Sequence, residues 1–400
     1  MPCRPRIVAL VPARGGSKGI PRKNLARVGG VPLVVRSVRH ALAAPSIDAV
    51  YVSTDDPEVA EVSRRAGAQI VDRPASIAGD TASTESAVEH FLTELEARGE
   101  SCDVVVLLQC TSPFREPGQL EAAVERFMST GCDGMLSAVR FPGFVWRREA
   151  SGDRPLNYDP LHRPRRQEID DAFLETGSFY VFSRTAFERS GSRLSGRIEV
   201  FEVPLADALE IDEPEDLESA RHQAARHGDP ELGSVAADLA WLVLDVDGTL
   251  TDGAMFYGEG GEEFKRFDTR DGMGLQRWRE AGGRLAIVTG EDSEAARRRA
   301  DKLKADHVVT GCKDKDAALR ELRRLFGLDV GQVVAMGDDL NDLPMRAHAA
   351  LFVAPSNGRP EVQAVADLVT SAQGGHGAVR ELVDLLLRSR VAGSKLRRVA

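Results

Sequence analysis

Two stretches of this sequence contain residue types and spacings that are suited to phosphate chemistry. The stretch PARGGSKGIPRKN at residues 12–24 combines three glycines with several basic side chains. Glycines let backbone amides approach phosphate oxygens because no Cβ stands in the way, and Lys and Arg add positive charge. The stretch WLVLDVDGTLTDG at residues 241–253 places Asp245 and Asp247 at the end of an apolar strand, where the active sites of parallel sheets lie.

The basic loop predicts a binding site for an anion. Residues 1–47 carry nine Lys or Arg and neither Asp nor Glu, in a chain whose net charge is −10. Because an acidic protein repels nucleic acid, this local excess favours a small anionic ligand. The loop fits neither the P-loop nor the dinucleotide-binding pattern, so the residues alone do not name the anion. A solvated basic face or a flexible basic turn is the alternative.

The two aspartates predict covalent phosphoryl transfer. Residues i and i+2 of an extended segment project to the same face, so one carboxylate can attack phosphorus while the other protonates the leaving oxygen and later activates water. Thr289, Lys315 and the aspartates of MGDDLND at residues 336–342 also stand at or after predicted strands. Two acids and a phosphate in one buried site need a cation.

Strands and helices alternate along the 400 residues, which predicts α/β domains with mainly parallel sheets. The alternation stops over residues 226–240 and then restarts, so we place a domain boundary there. The predicted parts are a first domain at 1–228, a linker at 229–238, a second domain at 239–388 and a basic tail at 389–400.

Composition limits the class of protein. The five cysteines are scattered and form no C-x-x-C pair, which argues for reduced thiols and against a zinc site or a disulfide framework. No apolar run approaches the roughly 18 to 20 residues that cross a bilayer, and the N-terminus lacks the features of a signal peptide. The sequence therefore predicts a cytoplasmic protein that binds neither membrane nor nucleic acid. Residues 140–171, with four prolines, predict an arm.

The first half resembles the CMP-sialic acid synthetase (N-acylneuraminate cytidylyltransferase) family. The motifs that carry the resemblance are VPARGGSKGIPRKN, VSTDD, RPASIAGDTAST, LLQCTSPFR, RRQ and EIDEPEDL, in this order between residues 11 and 217. The resemblance implies a Rossmann-like mixed sheet and transfer of CMP from CTP to a 2-keto-3-deoxy sugar acid, with release of pyrophosphate. Cys110, Thr176 and Glu210 depart from the residues common in the family, near the expected sugar pocket.

The resemblance also implies a role for single residues of the first domain. Arg suits carboxylates and phosphates because it can fork to two oxygens, and Mg²⁺ prefers oxygen ligands. Asp212 has an alternative role as a helix N-cap, since EPEDL can start a helix. The expected residues are Arg14, Lys18 and Lys23 at the triphosphate, Asn24 and Ser83 at the nucleotide, Gln109, Arg166 and Gln167 at the sugar acid, and Glu210 and Asp212 at Mg²⁺.

The second half resembles the haloacid dehalogenase superfamily of phosphatases, in its capless subgroup that contains KDO 8-phosphate and KDN 9-phosphate phosphatases. The D-x-D, T, K, GDD-x-x-D order, the short links between motifs, and the stretches FDTRDGMG and GGHGAVRE carry the resemblance. It implies a second Rossmann-like sheet, parallel and without a large cap. The implied roles are Asp245 as nucleophile, Asp247 as acid and base, Thr289 and Lys315 at the phosphoryl group, Asp245, Asp338 and the carbonyl of Asp247 at Mg²⁺, and Asp339 and Asp342 as residues that orient these ligands.

Glu291 and Lys302 bear on the choice of sugar. KDO enzymes typically have TGR, whereas this chain has TGE followed by Lys302 eleven residues after Glu291, which resembles the KDN type. The two side chains would bind sugar hydroxyls, or they form a surface ion pair of helical spacing.

Taken together, the two resemblances predict a bifunctional enzyme. It transfers CMP to a nonulosonic acid of the KDN or Neu5Ac type and hydrolyses the 9-phosphate of that acid. A homotetramer, with a dimer contact through the first domain, is expected. The alternatives are a second domain that serves only assembly, and a KDO-pathway pair of cytidylyltransferase and 8-phosphate phosphatase.

Overall fold

The chain forms two compact units. The computed structural model describes residues 4–79, 81–169, 172–227, 230–259 and 263–396. One unit comprises Met1–Leu25 and Leu33–Leu217, and the other comprises Ala26–Pro32 and Glu218–Ala400.

The strands and helices of both units are numbered in chain order. The strands are β1 (Ile7–Pro12), β2 (Arg27–Val28), β3 (Val31–Pro32), β4 (Ala49–Thr54), β5 (Gln69–Asp72), β6 (Val104–Leu108), β7 (Gly134–Arg140), β8 (Trp146–Arg147), β9 (Arg154–Pro155), β10 (Phe173–Ser183), β11 (Ile198–Glu202), β12 (Trp241–Leu244), β13 (Phe256–Tyr257), β14 (Glu263–Phe264), β15 (Arg284–Val288), β16 (His307–Val309), β17 (Val333–Met336), β18 (Leu351–Ala354) and β19 (Leu368–Val369). The α-helices are α1 (Leu33–Leu42), α2 (Pro57–Arg65), α3 (Thr84–Ala97), α4 (Gln119–Thr130), α5 (Arg184–Ser190), α6 (Pro214–His227), α7 (Pro230–Asp238), α8 (Thr269–Glu280), α9 (Glu294–Leu303), α10 (Lys315–Phe326), α11 (Pro360–Val365) and α12 (Ala378–Leu396).

A seven-stranded mixed sheet forms the centre of the first unit, in the order β11-β7-β10-β6-β1-β4-β5. Strand β10 runs antiparallel to both of its neighbours, and the other pairs are parallel. Strands β1 and β6 are almost wholly apolar and buried, as expected for parallel strands that are covered on both faces. Because β1 and β6 are parallel, the basic loop that follows β1 and the turn that follows β6 lie at the same edge of the sheet.

A six-stranded parallel sheet forms the centre of the second unit, in the order β16-β15-β12-β17-β18-β19. The strand β12, with the sequence WLVL, lies between β15 and β17 and is fully buried. The carboxyl ends of these three strands lead directly to Asp245, Thr289 and the GDD stretch that contains Asp338. Between β12 and α8 the described residues form only the small hairpin of β13 and β14, so no large cap is inserted there.

The predicted fold class, a mixed sheet followed by a parallel sheet, is confirmed. The segment expected as a linker at 229–238 instead contains α7. Its residues Leu232 and Ala236, with Leu239 directly after the helix, recur at the spacing of one helix face and are buried in the core of the second unit. The expected basic tail continues α12 as far as Leu396, and residues 397–400 lie outside the described part. None of the helices in the described residues has the length and hydropathy required to span a membrane.

Candidate active sites

A polar cavity of 490 Å³ opens at the edge of the first sheet where β1 and β6 end. This volume is in the range of small-ligand sites. A Cβ on Gly19 would lie 2.3 Å from the carbonyl oxygen of Asp212, so glycine is required where the basic loop closes on this wall. The predicted residues that line the cavity are Arg14, Lys18, Lys23, Asn24, Ser83, Gln109 and Asp212.

Hydrogen bonds hold the basic loop in place around this cavity. The buried amide of Asn24 donates to the carbonyl oxygen of Arg14 over 2.8 Å, and Arg14 Nη1 donates to the carbonyl oxygen of Gly79 over 2.6 Å. Ser83 caps α3, where its hydroxyl accepts from the backbone N–H of Ser86. Asn24 and Ser83 therefore shape the cavity through the backbone as well as lining it.

The residues expected at Mg²⁺ in the first unit lie beside the basic loop. Lys23 Nζ donates to Asp212 Oδ1 and to the carbonyl oxygen of Ile211, each over 3.0 Å. Glu210 Oε1 accepts from the hydroxyl of Thr111 over 3.3 Å. Burial and the neighbouring charge of Asp212 raise the pKa of Glu210. The structure thus brings together the lysine expected at the triphosphate and both acids expected at the metal.

Two predicted residues lie on an exposed turn, and the residues that line the cavity include some that were not predicted. Arg166 and Gln167 are exposed in a short 3-10 turn and are not among the described residues that line it. Arg73 and Thr111 do line it. The buried Arg73 donates through Nη2 to the carbonyl oxygen of Ser53 over 2.8 Å, and burial lowers its pKa. Both residues stand inside the motifs RPASIAGDTAST and LLQCTSPFR, which was the signal for them in the sequence.

The second site is built around a buried lysine. Lys315 begins α10, and its side chain is 1% exposed. Its Nζ donates to Asp245 Oδ1 over 2.5 Å and also to Asp342 Oδ1. Asp342 Oδ2 in turn accepts from the backbone N–H groups of Asp338 and Asp339, over 2.9 and 3.1 Å. Asp342 therefore does more than the sequence predicted, because it pairs with Lys315 while orienting the GDD turn.

Three carboxylates of this site can supply one metal ion with oxygen ligands. One ligand atom from each of Asp245, Asp338 and Asp342 lies within 4.8 Å of the others. Burial is the main cause that raises the pKa of Asp245 and of Asp338, the latter to about 7, and the charge of Asp342 adds to both. When all three carboxylates are ionised, the one positive charge of Lys315 leaves two negative charges uncompensated. A divalent, oxygen-preferring cation such as Mg²⁺ fits this deficit.

The close approach of two turns shapes the same site. Gly248 has a φ of +94°, and a Cβ there would lie 1.9 Å from Asp338 Oδ2. Thr249 Oγ1 donates to Asp338 Oδ1 over 3.2 Å. The glycine after Asp247 is therefore needed for the turn after β12 to meet the GDD turn.

Thr289 and Asp247, the other residues expected at the second site, differ in their hydrogen bonding. Thr289 is 1% exposed, and its hydroxyl has no hydrogen-bond partner among the described residues. Asp247 accepts two hydrogen bonds from Lys265, a residue that the sequence analysis did not identify.

Glu291 and Lys302 are separated by α9 in the structure. Glu291 precedes the N-cap of this helix, Ser293, and is exposed, whereas Lys302 is the last but one residue of the helix. At a rise of about 1.5 Å per residue, their ends of the helix are about 12 Å apart. Lys302 lines a separate depression together with Arg279 and Lys304. Within one chain the structure does not bring these two residues together.

Both halves of the chain are similar to known protein families. The Cytidylyltransferase family matches residues 8–226, and the haloacid dehalogenase-like hydrolase family matches residues 307–382. The N-acylneuraminate cytidylyltransferase of Oncorhynchus mykiss is 32% identical over 403 residues, which cover 98% of this chain and 90% of that protein. The 3-deoxy-D-manno-octulosonate 8-phosphate phosphatase of Yersinia pestis is 39% identical over 152 residues, which cover 38% of this chain and 81% of that protein.

Among solved structures, one similar protein is the 3-deoxy-D-manno-octulosonate 8-phosphate phosphatase of Moraxella catarrhalis, in complex with magnesium ion, phosphate ion and KDO. It is 36% identical, the match covers 42% of this chain and 97% of that one, and the TM-score is 0.40.

Proposed function

The chain belongs to the cytidylyltransferase family and joins a nucleotidyltransferase to a haloacid dehalogenase-like phosphatase, and from this premise we propose a pair of consecutive reactions on one sugar acid. The second unit hydrolyses the 9-phosphate of a nonulosonic acid. The first unit then transfers CMP from CTP to the free acid and releases pyrophosphate. This order gives the fusion a chemical reason, because the product of one site is the substrate of the other.

The observation that carries the phosphatase half is the buried cluster around Asp245. The carboxylate of Asp245 lies at the end of β12 beside the Lys315 ammonium. The Thr289 hydroxyl, which has no partner within the described part of the chain, lies at the end of the neighbouring strand β15. A buried hydroxyl and a buried ammonium are groups that bind phosphoryl oxygens. A merely structural domain does not need to retain these groups together.

In the second unit, a carboxylate oxygen of Asp245 forms the new bond to phosphorus as the ester P–O bond breaks. Asp247 gives its proton to the leaving sugar oxygen. A water molecule then attacks phosphorus, gives its proton to Asp247, and the bond to Asp245 breaks. Lys315 and Thr289 would hold the phosphoryl oxygens during both steps. Asp245, Asp338 and the carbonyl of Asp247 would hold Mg²⁺, with the Asp342 carboxylate near enough to join them, and the ion supplies positive charge to the site.

In the first unit, the anomeric hydroxyl of the sugar acid attacks the α-phosphorus of CTP, and the bond to pyrophosphate breaks. Arg14, Lys18 and Lys23 would stabilise the charge that develops on the phosphoryl oxygens. Glu210 and Asp212 would hold Mg²⁺ through their oxygens. Gln109 would contact the sugar acid from the cavity wall, and the exposed turn with Arg166 and Gln167 would have to approach it to bind the carboxylate.

The two similar proteins point to different sugars. One is named for N-acylneuraminate, a nine-carbon acid, and the other for the 8-phosphate of an eight-carbon acid. We favour a nine-carbon acid of the KDN or Neu5Ac type because the full-length match is to the first kind and because Glu291 replaces the arginine typical of the KDO enzymes. A homotetramer with a dimer contact through the first unit is part of this proposal.

A second candidate function has one observation in its favour. The full-length match includes the second unit, although the matching protein is named for cytidylyl transfer alone. A second unit that serves only assembly would explain that name, and it would make the charge cluster at Asp245 unnecessary.

Substitution of Asp245 separates these candidates. Asp245→Asn should abolish phosphate release from KDN 9-phosphate and leave CMP transfer to free KDN within about twofold, since the nucleophile is lost and the first unit is untouched. The exposed Asp301→Asn, in the same unit, is the matched control. Equal phosphate release by Asp245→Asn would contradict the nucleophile assignment. Absence of release by the unaltered chain from KDN, Neu5Ac and KDO phosphates would favour assembly.

A further inference from the structure

A lysine on the small hairpin is bound to the predicted acid and base. Lys265 follows β14, and its side chain is 0% exposed. Its Nζ lies 2.7 Å from Oδ1 and 2.7 Å from Oδ2 of Asp247. The same ammonium lies 3.4 Å from Glu263 Oε1, which accepts from the hydroxyl of Ser293 over 2.7 Å. These contacts join the hairpin to Asp247 on one side and to the N-cap of α9 on the other.

Burying the Lys265 ammonium costs free energy, and the fold alone does not require a buried charge at this position. A desolvated ammonium is costly unless it is paired and hydrogen-bonded. The pairing partner here is the residue that must give up and take back a proton. Two N–H donors on both carboxylate oxygens restrict the rotation of the Asp247 side chain. They also balance its negative charge after the proton has left.

The hairpin depends on these polar contacts for its position. Its strands have two residues each, and its aromatic residues Phe256, Tyr257 and Phe264 are 54%, 70% and 58% exposed. Little apolar burial therefore holds it against the sheet. The link from Glu263 to Ser293 fixes the strand from which Lys265 extends.

We propose that Lys265 is a positioning residue that orients Asp247 for proton transfer, an inference that rests on the proposed phosphatase function. When the ester P–O bond breaks, its electron pair stays with the leaving oxygen, and that oxygen takes the proton of Asp247. The carboxylate that results is held by Lys265 until it takes a proton from the attacking water. Lys265 exchanges no proton in this scheme and does not touch the substrate.

The test compares two esters that differ in their need for an acid. A sugar-acid phosphate releases an alkoxide, which needs a proton, whereas p-nitrophenyl phosphate releases a stable phenolate. Because kcat/KM reports the first irreversible step, it isolates phosphoenzyme formation from the later attack of water. The variants are Lys265→Met and Lys265→Arg, with Arg298→Met, whose side chain is 79% exposed, as the matched loss of a cation in the same unit.

Lys265→Met should lower kcat/KM about 100-fold on the better of KDN 9-phosphate and KDO 8-phosphate, since general acid catalysis contributes about 10²–10⁴-fold. On p-nitrophenyl phosphate it should lower kcat/KM by less than about threefold. Lys265→Arg retains two donors and should recover most of the loss on the sugar-acid phosphate. Arg298→Met should match the unaltered chain on both esters.

Two outcomes would overturn the assignment of Lys265. An equal loss on both esters would mean that the lysine maintains the site as a whole, and an unchanged rate on both would mean that Asp247 does not need it. If Lys265→Met fails to fold, Lys265→Arg decides. If that variant loses as much kcat/KM on p-nitrophenyl phosphate as on the sugar-acid phosphate, the positioning role of Lys265 is again contradicted. Failure of the unaltered chain to hydrolyse any ester would instead refute the phosphatase function, and the proposal for Lys265 with it.

Discussion

Replacing Lys315 by Met removes the positive charge that two buried carboxylates share. The Lys315 side chain is 1% exposed and pairs with Asp245 and Asp342, which are 6% and 1% exposed. Burial alone would lower the pKa of Lys315, but the charges of the two aspartates outweigh this effect and raise it, so the lysine is charged at neutral pH. Loss of one partner from a buried ion pair costs about 3–5 kcal/mol.

The expected destabilisation is large enough to measure by thermal unfolding. For a unit of this size about 1 kcal/mol shifts Tm by about 2–4 °C, so Lys315→Met should unfold about 6–20 °C lower in the absence of divalent ions. Mg²⁺ at about a hundredfold excess over its Kd adds about 2.7 kcal/mol. Without the competing ammonium the three carboxylates attract Mg²⁺ more strongly, so the ion should raise Tm more in the variant than in the unaltered chain.

Differential scanning calorimetry with EDTA and with saturating Mg²⁺ provides the measurement, with Arg298→Met as the control for loss of an exposed cation. The control should change stability by no more than about 0.5 kcal/mol, as is usual for an exposed ion pair within a helix. If Lys315→Met unfolds in EDTA at the same temperature as the unaltered chain, Lys315 does not stabilise the fold by balancing the charges of the two aspartates. An Mg²⁺-dependent shift that is smaller in the variant than in the unaltered chain would refute the assignment of the metal to these carboxylates.

Two further predictions concern the first unit. Arg14→Ala should lower kcat/KM for CMP transfer about 100-fold, because one donor to the charge that develops on the phosphoryl oxygens is lost. Phosphate release should be unchanged, and loss of both activities would indicate a folding defect. Burial, and to a lesser extent the charge of Glu116, raises the pKa of Asp207 from 3.8 to about 6, although Gln119 donates to its carboxylate and Arg115 lies near. The protonated Asp207 side chain therefore stabilises the fold below about pH 4, and this stabilisation is lost as pH rises through about 6. Asp207→Asn stays neutral, so its stability relative to the unaltered chain should rise by up to about 3 kcal/mol from pH 4 to pH 8; urea unfolding at both pH values should show this, and a constant difference would contradict it.

The groups that follow strands could be placed from the sequence. Asp245, Thr289 and Asp338 each stand at or just after the end of an apolar strand, and parallel neighbouring strands bring such residues to one edge. Gln109 likewise follows β6 at the edge where the basic loop follows β1, but only the family resemblance had assigned it to this site. Strand order itself was not needed, because the motifs marked the strand ends.

Residues outside the sheets could not be placed in this way. Lys265 lies beside a hairpin whose two-residue strands have no periodicity, and the only sequence signal was its place just before FDTRDGMG. The strands of the arm in the described residues, β8 and β9, pair only with each other, so the distance of Arg166 from the cavity was not predictable. Helix α7 was missed because its turn residues at 228–230 suggested a linker, although its apolar residues recur at helical spacing.

The most direct test of the central claim is one reaction followed by ³¹P NMR. The full chain is incubated with CTP, Mg²⁺ and KDN 9-phosphate, and free KDN is supplied in a parallel reaction. Two active sites predict that the 9-phosphate signal disappears while orthophosphate, pyrophosphate and the CMP ester of KDN appear together. Persistence of the 9-phosphate signal, while free KDN is converted to its CMP ester in the parallel reaction, would contradict the claim that the second unit supplies the substrate of the first.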